Sequence, residues 1–153
     1  MNYINLGVRA LIKTDNGLIM VEHKEKKNGE ILIFPGGGME PGENIFQAVE
    51  REVKEETNLI VRAEKIIYLR ETIYGNDSGI EFYVSCLPVS GNLTLGTDPE
   101  LDKNEQVLQA VREVDWKEIK NNKWYPEELH NRLESDMKGG VNNIVYLGVK
   151  NFN

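Results

Sequence analysis

The chain has 153 residues, 40% of them hydrophobic, which is long enough for a single domain over 1–153 with a real core. Its one cysteine, Cys86, excludes an intrachain disulfide framework and a thiolate zinc site, and its two histidines, His23 and His130, stand far apart in sequence. A formal charge of −7 speaks against a nucleic-acid polymer as partner, whose phosphates need clustered Lys and Arg.

That charge leaves a phosphorylated small molecule open, because a bound divalent cation reverses the local sign. No run approaches the roughly 20 apolar residues that span a bilayer. The N-terminal stretch MNYINLGVRA also lacks the basic flank and apolar core of a signal peptide. A cytoplasmic protein without a membrane partner is expected.

In chain order, residues 3–13 alternate, with Ile4, Leu6, Val8, Ala10 and Ile12 on one face, which predicts a strand. Asp15-Asn16-Gly17 predicts a hairpin turn, with 18–23 as the returning strand. A short strand over 31–34 enters the stretch FPGGGMEPGEN, Phe34 to Asn44, where three glycines and two prolines crowd one loop. Residues 44–57 carry no Gly or Pro and place Ile45, Val49 and Val53 at four-residue spacing, the mark of an amphipathic helix. Strands follow over 60–73 and 80–88, joined by a turn from Tyr74 to Gly79. A loop, a strand over 107–114, a second helix over 126–137 with Pro126 in its first turn, and a last strand over 145–149 complete the reading. The plan is α+β, a mostly antiparallel or mixed sheet with two main helices.

The chemistry gathers on the first helix. At about 100° per residue Glu52, Glu55 and Glu56 share a narrow arc bordering the apolar seam. Like charges three and four residues apart each cost a helix a few tenths of a kcal/mol, an arrangement that a purely solvated face does not need. A solvated acidic face is the plainer reading. Against it stands the preceding glycine loop, whose bare carbonyls can approach a cation. Carboxylate and carbonyl oxygens suit a hard ion such as Mg²⁺, with Mn²⁺ as substitute, whereas zinc wants nitrogen or sulfur.

The spacing Gly37, Glu43, Arg51-Glu52-Val53, Glu55-Glu56, Asn58-Leu59 resembles the Nudix box, GX5EX7REUXEEXGU with U aliphatic. One fixed position departs from it: Asn58 stands where the box has its last glycine. Asn is the residue that next most readily takes the left-handed conformation ending a helix, so it can serve there. The resemblance covers residues 37–59. It implies an α/β/α sandwich and metal-dependent hydrolysis of a nucleoside diphosphate linked to another moiety, whether a nucleotide sugar, a dinucleoside polyphosphate or a nucleoside triphosphate.

Carried onto this chain, the resemblance makes Glu52, Glu55 and Glu56 metal ligands together with the carbonyl of Gly36 or Gly37. Arg51 would orient the carboxylate of Glu55, one helical turn on, and Glu43 would cap the helix or support Arg51. Glu52 is the first choice of general base, with Glu105, Glu100 and Glu81 as alternatives. Tyr74 lies near where dinucleoside polyphosphate enzymes carry a tyrosine and could stack on a base. A P-loop is excluded because no Lys-Ser or Lys-Thr follows the glycines, and GGGMEPG does not fit the dinucleotide fingerprint. The alternative is a catalytically idle module of the same fold that binds nucleotide or protein. The substrate, the number of metal ions and the oligomeric state, a homodimer included, are left open.

Overall fold

The structure is a computed structural model that describes residues 3–25, 29–96 and 108–152. Among the described residues eight strands form two sheets. The larger is mixed, in the order β4 (Gly36–Gly38), β1 (Ile4–Ile12), β6 (Asp77–Ser90), β5 (Ile60–Tyr74), β8 (Val145–Asn151). The smaller is antiparallel, in the order β3 (Gly29–Ile33), β2 (Gly17–Glu25), β7 (Leu108–Asp115). Helix α1 (Ile45–Thr57) packs against β1, β4, β5 and β6. The shorter α2 (Trp116–Asn121) and α3 (Leu133–Gly139) follow β7.

Two hydrophobic clusters lie on the two faces of the larger sheet. Alternation along β1 sends Val8, Ala10 and Ile12 to Ala48, Val49 and Val53 of α1. It sends Leu11 the other way, to Leu18 and Met20 of β2, Leu32 of β3, Trp124, Leu129 and Leu133. Fully burying a side chain such as Val49 or Val53 stabilises by about 1.5–3 kcal/mol, so this seam, rather than intrinsic propensity, holds α1 in place. Ile4 and Leu6 share the face of Val8 but lie beyond the reach of α1, and they are exposed.

The first helix carries its own start and stop signals. The Asn44 side chain accepts from the Gln47 backbone N–H, and the Gln47 side chain accepts from the Asn44 N–H, a reciprocal capping box. At the other end Asn58 adopts φ 61°, and its N–H donates to the Lys54 carbonyl. The left-handed stop expected of Asn58 is therefore present.

Three local expectations change. Residues 14–17 do reverse the chain, with the Thr14 N–H donating to the Gly17 carbonyl. Yet β1 and β2 share only the Lys13–Leu18 bridge and then part into different sheets. Leu18 pairs with Lys13 on one edge and with Val114 of β7 on the other, and from Val21 onward β3 takes the edge of β2 that a hairpin would have used. The second helix, expected over 126–137, is a 3-10 turn at Glu127–Leu129 followed by α3. Helix α2 has a clear signal that the periodicity concealed: Asp115 caps it by accepting from the Glu118 N–H.

Candidate active site

Three consecutive glycines form β4, an edge strand paired antiparallel to β1 with Gly7 opposite Gly38, Val8 opposite Gly37 and Arg9 opposite Gly36. The bare backbone has a steric reason. A Cβ on Gly36 would stand 2.0 Å from the Val8 carbonyl oxygen, and one on Gly37 would stand 2.6 Å from Glu52 Oε1. The strand thus lies directly against β1 on one side and the carboxylate of Glu52 on the other.

Arg51 ties the loop to the helix. Its Nε donates to Glu43 Oε2 at 3.0 Å and its Nη2 to Glu43 Oε1 at 2.7 Å, a two-point clamp. The same guanidinium reaches Glu52 Oε1 at 2.9 Å, Glu55 Oε2 at 3.3 Å and the Gly38 carbonyl at 2.9 Å. Arg51 thus reaches Glu55, but its shorter bonds go to Glu43, Glu52 and the Gly38 carbonyl. Hydrogen bonding to Arg51 holds the Glu43 carboxyl below the usual carboxylate range, and the same bonds push the Arg51 guanidinium further from deprotonation. Glu43 also accepts from the Glu40 N–H at 2.6 Å. The cap of α1 is Asn44, so Glu43 serves the arginine instead.

Glu56 is buried, and its Oε2 accepts from the Gly36 N–H at 3.0 Å. Glu52 and Glu55 are also largely covered, with side chains 13% and 29% exposed. The arc read from helical spacing is thus turned inward, onto the glycine strand. Among the described residues no group of three or more His, Cys, Asp or Glu converges as a metal-holding cluster. Arg51 draws Glu52 and Glu55 to itself, and Glu56 is turned to the Gly36 N–H. The residues nonetheless fit a hard divalent cation. The donors are carboxylate and carbonyl oxygens, and the space beside Gly37 that a Cβ would fill is kept open for the Glu52 carboxylate.

On the opposite face of the larger sheet, between the two sheets, lies a cleft of about 620 Å³. Arg9, His23, Phe34, Tyr83 and Glu81 form part of its wall, and Tyr74 and Phe152 also line it. Glu81 Oε2 accepts from the Tyr83 hydroxyl at 2.7 Å and from Arg70 at 3.3 Å, and Arg70 also bonds Glu128 at 3.1 Å. Burial, then the charge of Glu81, push the Tyr83 hydroxyl well above its usual pKa. A Cβ on Gly7 would lie 3.5 Å from the Gly37 carbonyl oxygen and 3.8 Å from Glu81 Cγ, which places Glu81 near the glycine strand.

Tyr74 is 56% exposed and stacks on Phe152 with ring centroids 4.3 Å apart. One of its faces is therefore taken. Glu100 and Glu105 lie outside the described residues. The sequence reading missed Arg9 and Arg70 and weighed His23 only as a metal ligand. Arg9 did carry a signal, a charge inside the apolar run Val8-Arg9-Ala10-Leu11-Ile12.

A mixed α+β architecture with an acid-bearing helix locked to a glycine edge strand defines a Nudix-type domain. The family model for the NUDIX domain matches residues 4–135, and the chain belongs to that family. It is 34% identical over 62 residues to an ADP-ribose pyrophosphatase of Methanocaldococcus jannaschii, covering 40% of this chain and 37% of that protein. It is 33% identical over 124 residues to the human 8-oxo-dGDP phosphatase NUDT18, covering 81% of this chain and 32% of that protein. The chain thus spans about a third of the length of these curated relatives. Among solved structures, a NUDIX hydrolase from Nitrosomonas europaea superposes with a TM-score of 0.76 at 17% identity, covering 99% of this chain and 81% of that one. At that identity the likeness is one of fold. Among the described residues no helix is long and apolar enough to cross a membrane.

Proposed function

We propose that the protein hydrolyses a phosphoric anhydride bond in a nucleoside diphosphate joined to a further group, with Mg²⁺ as its cation and Mn²⁺ as substitute. The observation that carries this is the single guanidinium of Arg51, which binds Glu43, Glu52, Glu55 and the glycine strand at once. A merely solvated acidic face has no use for such an arrangement. The names of the two curated relatives, an ADP-ribose pyrophosphatase and an 8-oxo-dGDP phosphatase, agree with a nucleoside diphosphate derivative as substrate.

Glu52, Glu55 and Glu56, with the carbonyl of Gly36 or Gly37, would hold the cation. When bound, it offsets the pyrophosphate charge and lowers the pKa of a water it binds. The chain's own groups supply the rest. Arg51 keeps Glu52 and Glu55 facing the strand, Glu43 fixes Arg51, and Glu56 braces the Gly36 backbone. Glu52 accepts the proton of the attacking water. Glu81, whose Oε2 takes both the Tyr83 and Arg70 bonds, is the alternative acceptor from the cleft side. Tyr74 offers its remaining face to a base.

The test is incubation with Mg²⁺ and a panel of nucleotide sugars, dinucleoside polyphosphates and nucleoside di- and triphosphates, reading released phosphate and monophosphate. Activity in the wild type and its loss in Glu55→Gln and Glu56→Gln are expected. Inactivity across the panel would leave the idle nucleotide-binding module as the better reading, and undiminished activity in both variants would overturn the roles given to Glu55 and Glu56.

A further inference from the structure

Most cations of the cleft are already matched by acids. Arg70 pairs with Glu81 and Glu128, and Lys150 lies 3.8 Å from Glu127. Arg9 differs. It is partly buried, its Nη1 donates to the Phe34 carbonyl at 3.2 Å, and among the described residues no carboxylate pairs with it. His23 lines the same cleft from β2, half-buried, and no hydrogen bond among the described residues engages its ring. Burial, then the positive charge of Arg9, depress its pKa, with Glu25 opposing. An unmatched guanidinium beside an imidazole that feels its charge is a place where an anion relieves both.

The position is specific. Arg9 stands opposite Gly36 in the β1–β4 register, and its side chain leaves the sheet on the face away from Val8 and α1. Glu52 abuts the neighbouring Gly37 on the α1 face. The bare edge strand β4 thus touches both, pairing with Arg9 at Gly36 and packing on Glu52 at Gly37.

We propose that Arg9 and His23 form an anion subsite on the cleft floor, which takes a phosphate group of the substrate across the glycine strand from the carboxylates. The proposal rests on the hydrolase reading of the cleft. It assigns to Arg9 the non-attacked phosphate, through the paired N–H groups that match phosphate oxygens, and to His23 a supporting donor that gains a proton as the anion docks. The carboxylate side then handles the bond that breaks, and the Arg9 side selects substrates that carry a second phosphate.

The test uses the whole chain in EDTA with inorganic pyrophosphate as probe. Calorimetry gives affinity, and ring NMR signals of the two histidines, His23 and His130, give their pKa values. Pyrophosphate should raise the pKa of His23 and leave that of His130 in place. Arg9→Gln should lose about 10–100-fold in pyrophosphate affinity, the range of a charge-assisted contact, and Arg9→Lys should recover part of it. With Mg²⁺ and a cleaved nucleotide, Arg9→Gln should raise KM more than it lowers kcat. Wild-type affinity in a folded Arg9→Gln protein, or an unmoved His23, overturns the subsite. A wild type that cleaves nothing yet binds pyrophosphate through Arg9 overturns the hydrolase reading and leaves the subsite standing.

Discussion

Two adjacent glycines, given the same substitution, should fail in different ways. In Gly37→Ala the new Cβ would meet Glu52 Oε1 at 2.6 Å and its Cδ and Oε2 at 2.7 Å. These atoms are the far end of a side chain that can rotate, so the strand stays and the carboxylate moves. Stability then reflects two small opposed effects. Alanine restricts the unfolded chain and stabilises by about 0.4–1 kcal/mol. The weakened, partly solvated Arg51–Glu52 bond costs a similar amount, about 1 kcal/mol or less. The melting temperature should move by no more than about 2–4 °C. Displacing a metal-facing carboxylate should lower Mg²⁺ affinity about 10–100-fold. In Gly36→Ala the Cβ would stand 2.0 Å from the Val8 carbonyl oxygen and 2.9 Å from the Arg9 Cα. Backbone cannot rotate aside, so the β1–β4 pairing must open, at a cost of about 1–3 kcal/mol or more. That corresponds to a fall of about 2–12 °C. Thermal denaturation and Mg²⁺ titration by calorimetry read both effects. A Gly37→Ala protein that melts as early as Gly36→Ala, or that keeps wild-type Mg²⁺ affinity, would refute the reasoning.

Arg51→Lys keeps the charge but cannot clamp Glu43 at two points while reaching Glu52, Glu55 and the Gly38 carbonyl. Mg²⁺-dependent turnover should fall about 10–100-fold in a steady-state assay with the fold retained by circular dichroism. The Glu43 carboxyl is depressed in the folded state by Arg51, relative to about 4.3 when unfolded. Its contribution is therefore fully present above that value and is lost as pH falls through the lower folded value. The gap in melting temperature between wild type and Glu43→Gln should accordingly be flat from about pH 7 to 5 and close in more acidic buffer. Asn58→Gly keeps the left-handed cap and gives up exposed bonds to the Asn92 carbonyl and Lys54. Its melting temperature should stay within about 2–4 °C of wild type with turnover unchanged, and a loss of turnover of tenfold or more would mean that the Asn58 side chain has a further role.

The helix and its acids were legible because their signals are local. Capping residues, four-residue spacing and fixed intervals between Gly37, Glu43, Arg51 and Glu56 survive in one dimension. Strand pairing does not. The turn at 14–17 reads the same whether β2 returns along β1 or leaves for another sheet, where β3 takes one of its edges and β7, nearly a hundred residues later, the other. The helix expected over 126–137 was misjudged for a related reason. Buried Leu129 and Leu133 keep helical spacing, although the segment between them turns without continuous helix. The cleft was hardest to foresee: Arg9, His23, Arg70 and Glu81 come from four strands, and although Glu81 was weighed as a base, nothing in one dimension brings the four together.

Helix α1 is capped at its two ends by Asn44 and Asn58 and held along its seam by the core. A cation arriving at Glu52, Glu55 and Glu56 therefore meets a scaffold that is already ordered, unlike small zinc modules that fold only around their ion. On the proposed function, little of the binding free energy would go into building the helix, and losing the ion would leave the architecture intact. If the proposed function holds, such a protein would be switched by the supply of its cation alone, repeatedly and without passing through an unfolded chain.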